Sequence, residues 1–240
     1  MNTGILNSLM SNRLKAVSEL VPSCGCVADI GCDHGYISID LIKRRVAEHV
    51  IAMDLREGPL MMAKENIRKY LTGDRERTAI ETRLSDGMKQ LKAGETDGII
   101  CAGMGGKLII QILENSWELV QELKFMVLQP QSELVYFRTF LAENGFVIED
   151  ENLIFEEGKY YPMVRVSKGK PYELNQKELL CGPILLRRKP IELINWLCRE
   201  REINRKILAN LQKEAQTETI SARLKEIEEA IGLIDEILEK

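Results

Sequence analysis

The amino-acid sequence predicts an α/β fold, in which a doubly wound parallel sheet ends in an antiparallel strand and precedes a C-terminal α-helical hairpin. Short apolar runs alternate with amphipathic stretches through the first two-thirds of the 240 residues, as in parallel strands that helices cover on both faces. After Gly145, two runs meet near 157–158, which predicts a closing antiparallel β-hairpin. The remaining C-terminal residues show helical spacings and no strand pattern.

The elements of the sheet follow in order along the chain. The segment SNRLKAVSELVP places Leu14, Val17 and Val21 on one face, which predicts a short helix that ends at Pro22. Apolar runs predict five parallel strands, at 27–30, 50–54, 79–84, 98–102 and 125–129. Helical patterns lie between them at 36–45, 59–71, 106–114 and 132–143. This alternation is typical of a doubly wound sheet.

Two further helical patterns predict an antiparallel coiled-coil hairpin at the C-terminus. The second has a heptad seam, formed by Ile220, Leu224, Ile227, Ile231, Ile234 and Leu238. The first, at 190–213, has a seam interrupted by Arg201 and Asn204 and formed by Leu193, Leu197, Leu208 and Leu211. The polar segment QKEAQTET separates them, so the two helices are expected to fold back on each other. The expected domains are 1–168 and 169–240.

Composition limits the class of protein. No run approaches the roughly 20 apolar residues of a membrane span, and the N-terminal segment lacks the basic and apolar regions of a signal peptide. Six cysteines occur without a C-x-x-C pair or a histidine cluster, so neither a zinc site nor a disulfide framework is expected. These features favour a cytoplasmic protein that contacts no membrane and holds no metal.

A net charge of −4 conceals a basic segment. Residues 159–225 carry 15 Lys or Arg against seven Asp or Glu, whereas 226–240 carry one Lys against six acids. Arg199, Lys206 and Lys213 are seven residues apart, so they form one stripe along the predicted helix. Such a stripe suits a phosphate backbone. Because glutamates are interspersed, a solvated coiled-coil face is the alternative.

The turn after the first strand, within VADIGCDHGYI, is the candidate ligand site, because ligands of doubly wound sheets bind at the carboxyl ends of the strands. It lacks the G-x-G-x-x-G pattern that brings backbone against a pyrophosphate, and Asp33 would repel a phosphate there. Asp29 favours a cationic ligand, such as S-adenosylmethionine with its ammonium and sulfonium groups. A dinucleotide site and a ligand-free turn with an N-cap aspartate are the alternatives.

Two more acids follow the next strands. Asp54 ends the second strand, and its carboxylate has enough acceptor sites for both hydroxyls of a ribose. Asp86 and Gly87 follow the third strand, where an acid can accept from an adenine amino group. Each acid alone is also common at strand ends and helix caps. Together, in successive turns, they indicate an adenosine-containing ligand.

The motifs VADIGCDHGYI, MDLREGP, SDGM, CAGMGG and LQP at successive strand ends resemble those of the bacterial TrmK-type tRNA adenine-N1 methyltransferases. The resemblance extends from SNRL near residue 12 to KYYPMVRV near 166. It implies a class I, Rossmann-like methyltransferase fold with a seven-stranded sheet and S-adenosyl-L-methionine as cofactor. It also implies methylation of N1 of adenine 22, in the D-arm region of tRNA.

The resemblance and the turns together give the candidate site residues. Those expected to bind the cofactor are Asp29, Gly31, Cys32, Gly35, Asp54, Leu55, Asp86, Gly87 and Ala102. Those expected at the methyl group are Asp33, His34, Tyr36, Gly103 and Met104. Tyr36 would stack on the adenine, and Asp33 would accept from its amino group or balance the cationic product. A structural role is the alternative for His34 and Tyr36.

The turn after the fourth strand, 102–106, carries three glycines in four residues, which would bring bare backbone against a base. The acid-or-Asn, Pro, Pro, aromatic motif of exocyclic-amine methyltransferases is absent there, which favours a ring nitrogen as the acceptor. A close-packed strand-to-helix turn is the alternative.

The helical domain is the expected tRNA-binding domain of a monomeric enzyme. The candidate tRNA contacts are Arg13, Tyr161, Arg199, Lys206 and Lys213, and no role is assigned to Gln131. One alternative function is methylation of another RNA or of a small molecule, with the hairpin as a protein-interaction module. A dehydrogenase would need the missing phosphate-binding glycine turn. A non-catalytic RNA-binding protein would leave the strand-end acids unexplained.

Overall fold

A computed structural model describes residues 10–213 and 217–239. The N-terminal nine residues, where no signal peptide is expected, and residues 214–216 of the polar segment QKEAQTET lie outside the described residues. The chain divides into two compact units, Met1–Leu174 and Asn175–Lys240.

The first unit contains a seven-stranded sheet. Its strands are β1 (Cys24–Ile30), β2 (Ala47–Asp54), β3 (Ile80–Leu84), β4 (Gly98–Met104), β5 (Phe125–Pro130), β6 (Phe146–Glu156) and β7 (Lys159–Lys168). The order in the sheet is β3-β2-β1-β4-β5-β7-β6. Strands β1 to β5 are parallel, and β7 is antiparallel to both of its neighbours. The doubly wound sheet with a closing antiparallel hairpin is confirmed.

Seven described helices flank the sheet. They are α1 (Asn12–Glu19), α2 (Tyr36–Lys43), α3 (Glu57–Tyr70), α4 (Asp74–Thr78), α5 (Gly106–Glu114), α6 (Trp117–Glu122) and α7 (Leu134–Glu143). All five predicted helices of this unit are confirmed. The sequence did not predict α4 and α6. The first, DRERT, has no apolar residue to set a period, and the second has only six residues.

The order of the strands determines where a ligand site is expected. Strand β1 pairs with β2 on one side and with β4 on the other, so the progression of strands reverses between β1 and β4. The crevice outside the carboxyl ends of these two strands is the usual ligand site of a doubly wound sheet. Fully buried apolar side chains such as Val27, Ile99 and Val127 hold the strands beneath it.

The boundary of the first unit lies six residues beyond the predicted one, because the segment after β7 remains bonded to this unit. The Gly169 N–H donates to the Gly145 carbonyl at 2.6 Å, and the Tyr172 N–H donates to the Ala142 carbonyl at 3.1 Å. The Tyr172 hydroxyl also donates to the Phe146 carbonyl.

The second unit is helical where it is described. Its helices are α8 (Gln176–Cys181), α9 (Pro183–Arg188), α10 (Ile191–Leu211) and α11 (Glu218–Leu238). Arg201 Nη1 lies 3.0 Å from Asp235 Oδ1, and Lys189 Nζ donates to the Ile237 carbonyl. These contacts join a residue just before α10 and the middle of α10 to the last turns of α11, and the two helices form the predicted antiparallel hairpin.

The seam of the hairpin contains buried and half-buried apolar residues. The buried ones are Leu193, Leu197, Ile227, Ile234 and Ile237. The other predicted seam residues are half-buried: Leu208, Leu211, Ile220, Leu224, Ile231 and Leu238. Among the described residues, no helix has both the length and the apolar character that crossing a membrane requires.

Candidate functional site

A cleft of about 500 Å³ lies where the turns after β1, β2, β3 and β4 meet. It brings together most of the predicted site residues: Arg13, Asp29, Gly31, Cys32, Asp33, His34, Tyr36, Asp54, Leu55, Asp86, Gly87, Ala102, Gly103 and Met104. Gly35 and Tyr161 do not line it. Arg199, Lys206 and Lys213 belong to the second unit. Within 10–213 and 217–239, no group of acidic, histidine and cysteine side chains is arranged to hold a metal ion.

The first turn is held against the second strand by backbone hydrogen bonds. The N–H groups of Gly31 and Cys32 both donate to the Met53 carbonyl at 2.8 Å. Gly31 has φ of +74°, and a Cβ atom there would overlap the methyl group of Met104. The backbone conformation therefore favours glycine, and a side chain there would also displace the end of the Met104 side chain from β4.

The end of this turn begins α2. Gly35 is the N-cap residue with φ of +70°, and no side chain caps the helix. The aspartate N-cap of the ligand-free alternative is therefore not what starts α2. A Cβ atom on Gly35 would lie 3.1 Å from Ala63 Cβ, so this glycine allows α2 to pack against α3. Its place is beneath the cleft rather than in its lining.

Asp29 is a buried carboxylate at the floor of the cleft. Its side chain is 3% exposed, and Oδ2 accepts from the Ser38 hydroxyl at 2.7 Å. The pKa of Asp29 is raised to about 6, mainly because the carboxylate is buried; the Ser38 hydrogen bonds oppose this shift, and the charge of Asp54 adds to it. A cation beside Asp29 would relieve this unfavourable charge.

Asp54 is oriented by the backbone of its own turn. Its Oδ1 accepts from the Arg56 N–H at 2.9 Å, and its Oδ2 accepts from the Asp33 N–H at 3.4 Å. The carboxylate is 7% exposed and still lines the cleft. Two oxygens provide about four acceptor sites, so it retains capacity for a diol. Leu55 beside it is 65% exposed and offers an apolar surface.

The third turn is tied to the second by Ser85. The Ser85 N–H donates to the Asp54 carbonyl at 2.9 Å, and its hydroxyl donates to the Gly87 carbonyl at 2.9 Å. Asp86 is exposed and lies 2.5 Å from Lys89 Nζ. Asp86 is therefore a peripheral member of the cleft, in contrast to the buried Asp29 and Asp54.

The opposite wall of the cleft is the turn at the end of β4. Gly103 has φ of +77° and is exposed, and its N–H donates to Gln129 Oε1 at 3.0 Å. Arg13 Nη1 donates to the same oxygen at 3.1 Å. The Arg13 guanidinium also lies 5.4 Å from the centre of the Tyr161 ring. Tyr161 thus supports Arg13 from outside the cleft.

Two aromatic side chains of the first turn lie between these walls. The rings of His34 and Tyr36 are 5.9 Å apart, and Tyr36 lies 6.4 Å from Tyr70. Asn66 donates to the His34 carbonyl at 2.9 Å. The His34 Nε2 atom lies 3.6 Å from Asp33 Oδ2. Tyr36 is half-buried and keeps part of its surface in the cleft.

Sequence reasoning missed the residues that hold the predicted ones. Ser38 lies in the first turn of α2 and is recognisable only once its distance to Asp29 is known. Ser85 is the first residue of the motif SDGM, and the sequence alone indicates no structural role for it. Gln129 offered a usable signal, since it is the one polar residue of the apolar run FMVLQ. A polar residue in a buried strand requires hydrogen-bond partners.

The cleft fits S-adenosylmethionine. The Asp29 carboxylate suits an ammonium group, and the acceptors of Asp54 suit ribose hydroxyls. Gly31, Ala102 and Gly103 line the cleft and bring backbone atoms to its surface. The volume is within the range of small-molecule sites.

Comparison with known proteins agrees with this geometry. Residues 10–164 match the family described as "Methyltransferase domain". The chain is 29% identical over 235 residues to the Bacillus subtilis (strain 168) tRNA (adenine(22)-N(1))-methyltransferase, covering 96% of this chain and 97% of the relative.

Two solved structures share the fold over nearly the full length. The structure of the B. subtilis M1A22 tRNA methyltransferase TrmK has a TM-score of 0.83 and 29% identity, covering 95% of this chain and 98% of that one. The structure of M. capricolum TrmK in complex with S-adenosyl-homocysteine has a TM-score of 0.81 and 25% identity, covering 96% and 98%. The chain therefore belongs to the methyltransferase-domain family and, within it, to the TrmK family.

Proposed function

We propose that this protein is a tRNA methyltransferase that transfers a methyl group from S-adenosyl-L-methionine to N1 of adenine 22, in the D-arm region. The observation that carries the proposal is the single cleft in which Asp29 and Asp54 face the glycine turn at Gly103. The near full-length similarity to the B. subtilis enzyme, which its name assigns to this reaction, supports the choice of substrate.

The cofactor side of the cleft is formed by β1, β2 and β3. Asp29 would hold the ammonium group and Asp54 the ribose hydroxyls. The apolar surface of Leu55 and the carboxylate of Asp86 would flank the adenine. Gly31, Cys32, Gly87 and Ala102 would supply backbone walls. Gly35 would act from beneath, by fixing α2 under the turn.

When bound, S-adenosylmethionine supplies an electrophilic methyl carbon on a sulfonium. N1 of adenine has a lone pair, so the enzyme needs no strong base to create the nucleophile. The protein must align the base and tolerate a cationic product. Tyr36 provides a stacking surface, while Gly103 and Met104 allow the base to approach backbone. The exposed carboxylate of Asp33 lies where it can balance the positive charge.

The second unit would bind the tRNA backbone. Arg199, Lys206 and Lys213 are exposed on α10 and the segment after it, as the heptad spacing predicts. Lys206 pairs with Glu202 at 3.0 Å, and an exposed pair of this kind contributes about 1 kcal/mol or less. Such a pair can therefore be exchanged for a phosphate contact. Because the cofactor cleft and the basic hairpin belong to one chain, we take the active species to be a monomer. A tRNA substrate would place it in the cytoplasm.

The proposal is tested with methyl-labelled S-adenosylmethionine and bulk tRNA. We expect label in tRNA, recovered after digestion as 1-methyladenosine and mapped to position 22. Label that enters only N6-methyladenosine, another RNA or a small-molecule fraction would contradict the proposal and favour the alternative substrate classes.

Tyr36→Ala is expected to slow methyl transfer while sparing cofactor affinity. Loss of base stacking should cost roughly 1–3 kcal/mol, which lowers the single-turnover rate by about 5- to 150-fold at saturating tRNA. Tyr36→Phe retains the ring and is the matched control. An unchanged rate in the alanine variant would remove Tyr36 from the base site.

The affinity for S-adenosylmethionine is expected to rise with pH up to about 6 and then level off. The pKa of Asp29 is about 6, so a decrease from pH 7 to pH 5 neutralises the carboxylate that would bind the ammonium group. The affinity at pH 5 should be about tenfold lower than at pH 7, because pH 5 is one unit below the pKa of Asp29. Calorimetry on Asp29→Asn should give weak binding with little pH dependence. If Asp29→Asn showed the same pH dependence of affinity as the wild type, that dependence would arise from another titrating group.

Replacing Arg199, Lys206 and Lys213 together by Ala is expected to lower the salt dependence of tRNA binding. Each lost phosphate contact should reduce the log–log slope by about 0.7 to 0.9. The position of the modified adenine should stay the same, because phosphate contacts carry no base specificity. If the salt dependence of tRNA binding were unchanged, the three cations would be solvated side chains that do not contact phosphate.

A further inference from the structure

Gln129 is a fully buried amide at the end of β5. Its exposed fraction is 0%, and it does not line the cleft. Its Oε1 atom accepts from Arg13 Nη1 at 3.1 Å and from the Gly103 N–H at 3.0 Å, while Nε2 donates to the Pro130 carbonyl at 3.1 Å. The amide therefore has partners on both its oxygen and its nitrogen, as a buried polar side chain requires.

The two donors come from different elements and both reach the cleft. Arg13 is on α1, and Gly103 is near the end of β4, where the pairing with β5 shifts register. Gly103 has φ of +77°, a conformation that glycine adopts without strain, so the hydrogen bond to Gln129 restrains a residue that is otherwise free to change its backbone conformation. One oxygen thus fixes the orientation of the Gly103 peptide and the position of the Arg13 guanidinium relative to it.

Because the Gln129 amide is neutral, it binds the Arg13 guanidinium without cancelling its positive charge. A guanidinium has five N–H donors, and Gln129 takes one of them without neutralising the positive charge. The Tyr161 ring supports the same group from another side, at 5.4 Å. Arg13 is therefore held in place and remains cationic, with donors left for the nucleotide.

We propose that Gln129 is a positioning residue for the adenine-bearing nucleotide, acting through Arg13 and Gly103 on the wall opposite Asp29 and Asp54. The inference rests on the proposed tRNA substrate. In it, Gly103 presents its backbone to the base at a fixed orientation, and Arg13 holds the anionic backbone of the same nucleotide. Gln129 itself touches neither cofactor nor RNA.

Two substitutions separate the acceptor from the charge. Gln129→Met keeps the approximate shape and removes all three hydrogen bonds of the amide, including both that Oε1 accepts. Gln129→Glu keeps an acceptor for both donors but neutralises the charge of Arg13. Ser18→Ala is the structural control, because it removes a buried hydrogen bond from Ser18 on α1 to Asp40 on α2, and Ser18 does not line the cleft.

The first readout is amide hydrogen exchange at Gly103, measured by NMR and independent of any activity. In Gln129→Met, exchange should be about tenfold faster or more, because a buried acceptor is lost. In Gln129→Glu and Ser18→Ala it should stay near wild type. Unchanged exchange in Gln129→Met, or equal acceleration in Ser18→Ala, would overturn the proposal even if the protein proved to use a substrate other than tRNA.

The second readout is steady-state methylation of tRNA. Gln129→Met should lower kcat and raise KM for tRNA, each by about tenfold, with S-adenosylmethionine affinity within about twofold of wild type. Gln129→Glu should mainly raise KM. If Gln129→Met does not fold, Gln129→Glu and Arg13→Met carry the test. Both remove the net positive charge at Arg13, so KM for tRNA should rise by a similar factor in the two variants. An unchanged KM in Gln129→Glu would contradict coupling through Arg13.

Discussion

Asp54→Ala is expected to lose most of its affinity for S-adenosylmethionine. The substitution removes a two-oxygen acceptor from a buried position, where hydrogen bonds to ionised groups are strongest. Two such contacts to ribose hydroxyls should cost about 2–4 kcal/mol. The carboxylate also accepts from the N–H groups of Arg56 and Asp33, so the turn itself loses support. Isothermal calorimetry on the folded variant measures the change.

Three comparisons make this measurement specific. Asp54→Asn keeps one acceptor oxygen and should give an intermediate affinity. Asp86→Ala should have a smaller effect, because that carboxylate is exposed and paired with Lys89. Asp74→Ala removes a carboxylate that is 99% exposed on α4 and should leave the affinity unchanged. Wild-type affinity in Asp54→Ala would contradict the cofactor assignment.

A chain that ends at Leu174 is expected to fold and bind S-adenosylmethionine but to lose tRNA methylation. Every residue assigned to the cofactor lies in the first unit, which ends at Leu174 and includes the hydrogen bonds of Gly169 and Tyr172. Removing the basic helices should lower methylation at limiting tRNA on the order of 100-fold or more. Cofactor affinity should stay within about twofold.

Circular dichroism and calorimetry establish the fold and cofactor binding of the truncated chain before activity is measured. The triple variant of Arg199, Lys206 and Lys213 lacks only the basic stripe, whereas the truncated chain lacks the whole helical unit. Comparing the two shows how much of the lost activity is due to the stripe. Full methylation by the truncated chain would show that the helical unit serves another partner.

The sheet was predictable because its strands are buried on both faces and read as apolar runs. VADI, GIICA and FMVLQ each correspond to a central strand. Helices with a clear apolar period were found for the same reason. The short helix α4 has no apolar residue in DRERT, so periodicity carries no information there. Helix α8 carried a usable local signal, the capping box of Asn175 and Glu178, in a stretch too short to show a period.

The acids of the site were predictable because parallel strands end at the same edge. Asp29, Asp54 and Asp86 therefore reach one cleft. Contacts between elements that are distant along the chain could not be predicted from the sequence. Gln129 meets Arg13 across 116 positions, and no local pattern encodes that pairing. The stacking of Arg13 on Tyr161 depends likewise on where β7 lies relative to α1.

The most direct test of the central claim uses one tRNA with two versions of residue 22. One carries adenosine, and the other carries 1-deazaadenosine, which keeps the amino group and ring shape but has a C–H in place of N1. The account predicts one methyl group in the first tRNA and none in the second, with equal binding of both. Methylation of the deaza tRNA, or none of the adenosine tRNA, would contradict transfer to N1 of adenine 22.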